Sequence, residues 1–221
     1  MDQSLLKKDK IYETLKEKII DFSFKPGEQL VEQVLSEQFE ISKSPLREAF
    51  RQLEADGLVN LIPYKGVYVS VLSTKELNDI CELREALEVF CLERGLNAYS
   101  NEDIEELEAL TELSRRKVER EEEIEAFKTH LSIHYLIIKK SKNKLIEDAY
   151  WKIHNKMRRY LLLGMKLRPE TIKTYNADHY KILSFIKARD IVSAVEELRR
   201  HFSHVNATLL GDGILEILLR P

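Results

Sequence analysis

Four histidines carry the strongest chemical signal in the chain. His130 and His134 stand four residues apart, so on a helix they share one face. Phe127, Leu131, Ile137 and Ile138 lie on that face too, which turns it toward a core. His179 falls in line with Ile172, Tyr175, Ile182 and Ile186, and His201 with Ala194, Leu198, Val205 and Leu209. A single inward imidazole is usually a hydrogen-bonded core residue. Four of them on the buried faces of three helices form the donor set of a divalent transition metal inside a helical bundle. Zinc is the first candidate, with nickel or another ion as alternatives. His154 and His204 lie beside these lines and read as structural or surface residues.

The donor set has a consequence for charge. Four neutral imidazoles leave the ion uncompensated in a low-dielectric pocket, where anions are strongly attracted. An organic carboxylate would supply the missing negative oxygen. Arg84 sits in the otherwise apolar stripe Leu77, Ile80, Cys81, Leu87 and Cys91. A cation aimed into a core needs a partner, either an internal acid or an anionic ligand.

A second chemical pattern lies in Ile41 to Gly57. Lys43, Arg47 and Arg51 repeat every four residues, while Leu46, Ala49, Phe50 and Leu53 mark an apolar face. Ser42 or Ser44 can cap such a helix, Pro45 suits its first turn and Gly57 can end it. A short, firmly seated helix with cations near its start suits the major groove of DNA. The plain alternative is a solvated basic stripe.

The flanking elements decide between the two. Residues 9–22 place Ile11, Leu15, Ile19 and Ile20 on one helical face, and Pro26-Gly27 turns the chain. Leu30, Val34, Leu35 and Phe39 mark a second, shorter helix. Leu58 to Ile62 and Val67 to Val71 read as strands of a hairpin with Lys65 and Gly66 at its tip. Helix, helix–turn–helix and hairpin make a winged helix–turn–helix domain over 1–72. From Ser73, where Ser73 to Glu76 fit a capping box, six helices follow near 74–98, 102–119, 121–140, 143–165, 169–188 and 190–219. The fold class is therefore mainly α, a winged domain followed by an all-α bundle over 73–221.

Composition bounds the rest. The 221 residues hold 33% charged residues, seven glycines and five prolines, as a mostly helical protein does. A formal net charge of −3 means that any nucleic-acid binding comes from a local patch. No apolar run is long enough to span a bilayer, and the two cysteines, Cys81 and Cys91, suit a reduced cytoplasmic core. The charged run Arg115 to Glu125 reads as a solvated face.

From Pro26 to Val69 the sequence PGEQLVEQVLSEQFEISKSPLREAFRQLEADGLVNLIPYKGVYV resembles the DNA-binding domain of GntR-family transcription regulators. The resemblance implies DNA contacts by Ser42, Lys43 and Arg47, with Gln33 at a second-helix position that often carries arginine and Gly66 at the wing tip. The family's arginine is lysine at position 43, which lacks the planar fork that reads guanine. The second half resembles the FCD domain of FadR-type members, in its VanR-like branch. That family's metal motif runs D-x-x-x-H, an asparagine nine residues on, then two histidines 22 apart. His134, Asn143, His179 and His201 meet those intervals, and His130 stands at the aspartate position. Arginine near Arg84 often accompanies the ligand in FCD relatives, and Tyr150, Arg158, Tyr175 and Asn176 would line the same pocket.

The expected protein is a homodimeric regulator of double-stranded operator DNA, tuned by a small carboxylate effector at the metal. A metal-responsive regulator without organic effector is the nearer alternative. A helical-bundle metalloenzyme with a DNA-binding head is the farther one, since three histidines with an open position can activate water. No obvious carboxylate base in register beside the histidines supports it.

Overall fold

The computed structural model describes residues 3–210, with side chains from residue 10 to 209. Within them the chain forms nine α-helices and one small sheet. The first part holds α1 (Gln3–Ile20), β1 (Gln29–Leu30), α2 (Glu32–Gln38), α3 (Lys43–Ala55), β2 (Val59–Ile62) and β3 (Gly66–Val69). The second holds α4 (Thr74–Gly95), α5 (Asn101–Glu119), α6 (Glu123–Lys140), α7 (Lys144–Leu167), α8 (Thr171–Lys187) and α9 (Ile191–Leu210). The six expected helices of the second half are present; the part of the last one beyond 210 lies outside the described residues.

One core unites the winged part. Ile11, Leu15 and Ile19 of α1 meet Leu46, Ala49, Phe50 and Leu53 of α3 and Val59 and Val69 of the sheet. Each large side chain buried there contributes roughly 1.5–3 kcal/mol, which is why the apolar stripe of α3 faces inward and its basic row outward. Gly57 ends α3 at φ +69°, where its N–H bonds the Glu54 carbonyl and Leu58 N–H the Leu53 carbonyl. A side chain at this left-handed position would be strained, and its Cβ would also strike the Lys156 side chain of α7. Ser42 takes the N-cap position, yet its hydroxyl makes no capping bond. The sheet runs β1-β3-β2, all antiparallel, with Asn60 opposite Tyr68 and Gln29 opposite Tyr68 on the other edge. Strand β1 was not expected: two residues give too short a pattern, and Leu30 falls in it instead of in α2.

In the second part, turn chemistry sets each boundary. Ser73 caps α4 by accepting from Glu76 N–H at 3.1 Å. The capping box is not closed there, because the Glu76 carboxylate goes to Lys156 and Tyr160 of α7. Ser100 and Asp103 form a full box on α5, and Asn143 caps α7 through Leu145 and Ile146 N–H. The inward faces of all six helices merge into one core.

Helix α7 lies against both parts. Arg158 grips Glu17 of α1 with two bonds of 2.9 Å, Asn155 reaches Asp56 at 3.0 Å, and Lys166 bonds the Asp21 carbonyl at 2.6 Å. Arg159, only 1% exposed, gives one nitrogen to the Ser70 carbonyl and hydroxyl, and burial lowers its pKa to about 10. Between these contacts and the bundle lies His154, whose ring packs 4.4 Å from Trp151 and 5.6 Å from Tyr150. Burial first, then the cations Arg158, Arg84 and Lys16, push its pKa down to about 3 from 6.5. Above pH 6.5 neither state holds this proton. Below it the unfolded chain takes the proton and the folded one refuses it, so stability is lost as pH falls from 6.5 toward 3. A His154→Phe protein keeps the aromatic packing and escapes this loss. Its urea-unfolding free energy should drop less between pH 7.5 and pH 5 than that of the unmodified protein, by about 2 kcal/mol. Equal drops would remove His154 from the acid response.

Candidate metal centre and DNA-reading surface

Three helices bring the four histidines to one point. His130 and His134 come from α6, His179 from α8 and His201 from α9, and one ring nitrogen of each lies within 4.8 Å of all the others. All four are at most 2% exposed. His134 Nε2 is 3.2 Å from His130 Nε2 and 3.1 Å from His179 Nε2. An ion bound at the usual ~2.0–2.1 Å by tetrahedral nitrogens separates them by about 3.3 Å. Burial, then mutual repulsion and Arg84, holds the pKa of His130, His134 and His179 well below 6.5, and burial also lowers His201. The rings are therefore neutral, the form a metal needs. His201 Nε2 has no hydrogen-bond partner. The residues fit a divalent ion.

Two acids behind the rings set which nitrogen His134 and His201 present. Glu88 of α4, fully buried, meets His134 Nδ1 at 2.6 Å. That bond draws the Nδ1 proton to the carboxylate and leaves the Nε2 lone pair facing inward. Asp178 does the same for His201, 3.4 Å from its Nδ1, while also holding His204 Nδ1 at 2.8 Å. Burial raises the Glu88 pKa to about 7 against the pull of Arg84. Neither acid was singled out in the sequence. Glu88 had a signal there, an i,i+4 partner for Arg84 on an apolar stripe; Asp178, beside His179, had none beyond adjacency.

These acids change the charge account. Arg84 Nε donates to Glu88 at 2.8 Å, so the internal-acid alternative holds for that nitrogen. Arg84 Nη2, also buried, has no partner. With Arg84, Glu88 and Asp178 all charged, a divalent ion would leave one positive charge in the centre.

The other expected effector residues are scattered. Tyr150 is buried, which pushes its hydroxyl pKa up, with Glu88 adding to the rise and Arg84 opposing it, and the hydroxyl has no partner. Asn176 is buried on α8 but lines an open cleft of ≈ 960 Å³ with Arg115, Glu119 and Tyr180, on the flank of the bundle. Tyr175 packs 5.7 Å from both His130 and His201. Arg158 is not at the centre at all: α7 carries it to Glu17 at the junction, because a charge on that turn faces α1. The pocket assignment of Arg158 is therefore corrected.

At the other end, Ser42, Lys43, Ser44, Arg47 and Arg51 are all exposed along the start and outer face of α3. Arg47 Nε rests on Glu32 of α2 at 2.8 Å, a pair open to solvent. Gln33 is exposed beside it and bonds Glu37. A groove of ≈ 550 Å³ runs between α3 and the wing, lined by Arg47, Arg51, Tyr64 and Gly66 among others. Lys65 and Gly66 sit at the wing turn as expected. Tyr64 was missed: it is fully exposed at the tip and held at φ +62°. An alternating-pattern reading had no reason to notice a turn residue.

A winged helix–turn–helix with an exposed cationic helix, joined to a helical bundle that holds the histidine cluster, has the architecture of a DNA-binding transcription regulator. Residues 7–69 match the family described as bacterial regulatory proteins, gntR family, and residues 79–204 match the FCD domain. The chain belongs to the GntR-family transcription regulators with an FCD domain. It is 28% identical to the HTH-type transcriptional regulator YdhC of Bacillus subtilis (strain 168), over 87% of this chain and 86% of that one. Its fold matches a GntR transcriptional regulator of Rhodococcus sp. RHA1 with a TM-score of 0.81 at 20% identity, covering 93% and 98% of the two chains. A structure described as the metal-free FCD domain of TM0439 matches 64% of this chain and 96% of that one, with a TM-score of 0.54 and 26% identity. The relatives are transcriptional regulators, which sets the metalloenzyme reading aside. Among the described residues no helix is long and apolar enough to cross a membrane.

Proposed function

We propose that residues 1–72 read a two-fold operator as one half of a homodimer, and that residues 73–221 sense a small organic acid at a divalent metal, zinc first. The observation that carries this reading is the convergence of four buried, neutral histidines beside a buried arginine nitrogen with no partner. His130, His134, His179 and His201 would hold the ion, and it would supply positive charge to attract and orient an anion. Arg84 Nη2 would receive that anion; Tyr150 is buried nearby but does not line the Arg84 cavity, and Asn176 belongs to the flank. This assignment follows the VanR-like branch of FCD regulators, with His130 where that branch has aspartate, and a cytoplasmic protein.

Two small cavities lie in this part of the bundle, one lined by His134 and His179 and one by Arg84, each of ≈ 10 Å³. That is room for about one water. An organic acid therefore enters only if helices part, and α7 lies both on Arg84's cavity and on the DNA-reading head. Such a movement would bias the placement of the two reading heads, a coupling between sites. Operator titrations followed by fluorescence anisotropy test the reading with metal-free protein, zinc-loaded protein and zinc-loaded protein with organic acids. A several-fold shift in operator affinity requiring both zinc and an acid is expected. A full shift with zinc alone would favour the metal-responsive regulator, for which the small cavities also speak.

A further inference from the structure

We propose that the effector is a monocarboxylate with an apolar tail, and not a polyhydroxy or dicarboxylic acid. The inference rests on the reading of Arg84 and the metal as an anion site and names the ligand class. The cavity beside Arg84 lies between α4, α7 and α9. Its walls include Cys81, Met157, Phe202, Val205 and Leu209, and every other wall residue apart from Arg84 is aliphatic or aromatic. Arg84 Nη2 is its one polar atom without a partner. The Tyr160 hydroxyl, the nearest alternative, is already taken by Ser73 N–H at 2.9 Å and the Glu76 carboxylate at 2.8 Å. A ligand here meets a single unpaired donor and otherwise hydrocarbon.

The head of the ligand is fixed by the same geometry. The Arg84 guanidinium lies 5.1 Å from the Phe202 ring, and Phe202 lies 6.0 Å from the His134 ring. Phe202, a wall of the cavity, is thus near both Arg84 and the His134 ring, which places the carboxylate end of a ligand at Arg84 and its tail along the other walls. A second carboxylate along the tail would be buried with no donor to meet it, since Arg84 Nη2 is the one unpaired polar atom of the cavity. Hydroxyls along the tail would be buried without partners, a penalty that rejects a sugar acid. The present cavity is small, but its far wall is adaptable. Met157 is unbranched and flexible, and Leu209 packs onto the bare face of Gly164, where an added Cβ would lie 2.4 Å from its Cδ2.

Calorimetric titration of the full-length, zinc-loaded protein with acetate, butanoate, hexanoate, octanoate and gluconate tests the inference, with hexan-1-ol as the uncharged control. Affinity should rise about threefold to fourfold per methylene until the tail outgrows the walls. Gluconate and hexan-1-ol should bind at least tenfold more weakly than hexanoate. Met157→Ala, which lengthens the cavity, should move the optimum to a longer chain. Binding of gluconate as tight as hexanoate, or affinity independent of chain length, would overturn the apolar-tail assignment while keeping the anion site. Absence of binding by every carboxylate would overturn the anion site itself and this inference with it.

Discussion

A His134→Ala protein should be purified without its metal, with affinity lower by a factor on the order of 100 or more. Structural zinc sites with four ligands contribute on the order of 10–16 kcal/mol in all, so the loss of one donor removes several. His134 is the worst donor to lose, because its Nε2 is the one that lies at contact distance from two others, 3.2 Å from His130 and 3.1 Å from His179. The change also takes away the hydrogen-bond partner of Glu88 Oε2. Elemental analysis of dialysed protein gives the metal content directly. Thermal unfolding supplies the control, since a ligand that binds only the folded state raises Tm. A chelator should lower the Tm of the unmodified protein and leave that of His134→Ala unchanged. Glu88→Gln separates holding from orienting. It keeps the shape and removes the charge that fixes the His134 ring, so metal should remain but bind about 10–100-fold more weakly. Full metal content in His134→Ala would sink the centre. Unchanged affinity in Glu88→Gln would reduce Glu88 to a structural partner of Arg84.

How far the sequence reaches is visible at these same residues. The four histidines were legible because helical periodicity places a residue on a face, and three amphipathic faces pointing at one core must bring their polar members together. Helix count and most boundaries followed from caps such as Asn143 and from the break near Arg189, which sits at φ +58°. Periodicity says nothing about which buried groups meet across 46 residues, as Glu88 and His134 do. It also cannot tell which end of a long helix faces which neighbour. Tyr150 and Arg158 are two turns apart on α7, yet one is buried near Arg84 and the other clasps Glu17 of the DNA-reading head. The pocket assignment of Arg158 failed for that reason. Strand β1 was invisible because two residues carry no period, and its pairing with β3 comes from the tertiary fold.

Arg47→Ala should cost operator binding without costing the fold. Arg47 is exposed, and its ion pair to Glu32 is screened by water, so its loss changes stability little. Beneath it Leu46, Ala49, Phe50 and Leu53 stay buried and keep α3 seated. On DNA the same guanidinium would be a planar fork, and a bidentate contact to a base is worth about 1–3 kcal/mol. The proposed two-fold dimer would make the contact twice, so the variant should bind its operator about 30- to 20,000-fold more weakly, from the factor of ten per 1.4 kcal/mol. The Glu32 pair predicts a companion effect of opposite sign. DNA must draw Arg47 away from Glu32, and that carboxylate also faces the phosphates, so Glu32→Gln should tighten binding several-fold at low salt and less at high salt. Anisotropy titrations with operator DNA at two salt concentrations measure both, and circular dichroism melting confirms that the fold is kept. Unchanged affinity in Arg47→Ala would move the reading contacts off the face of α3, to Ser42 and Lys43 at its start or to Tyr64 on the wing.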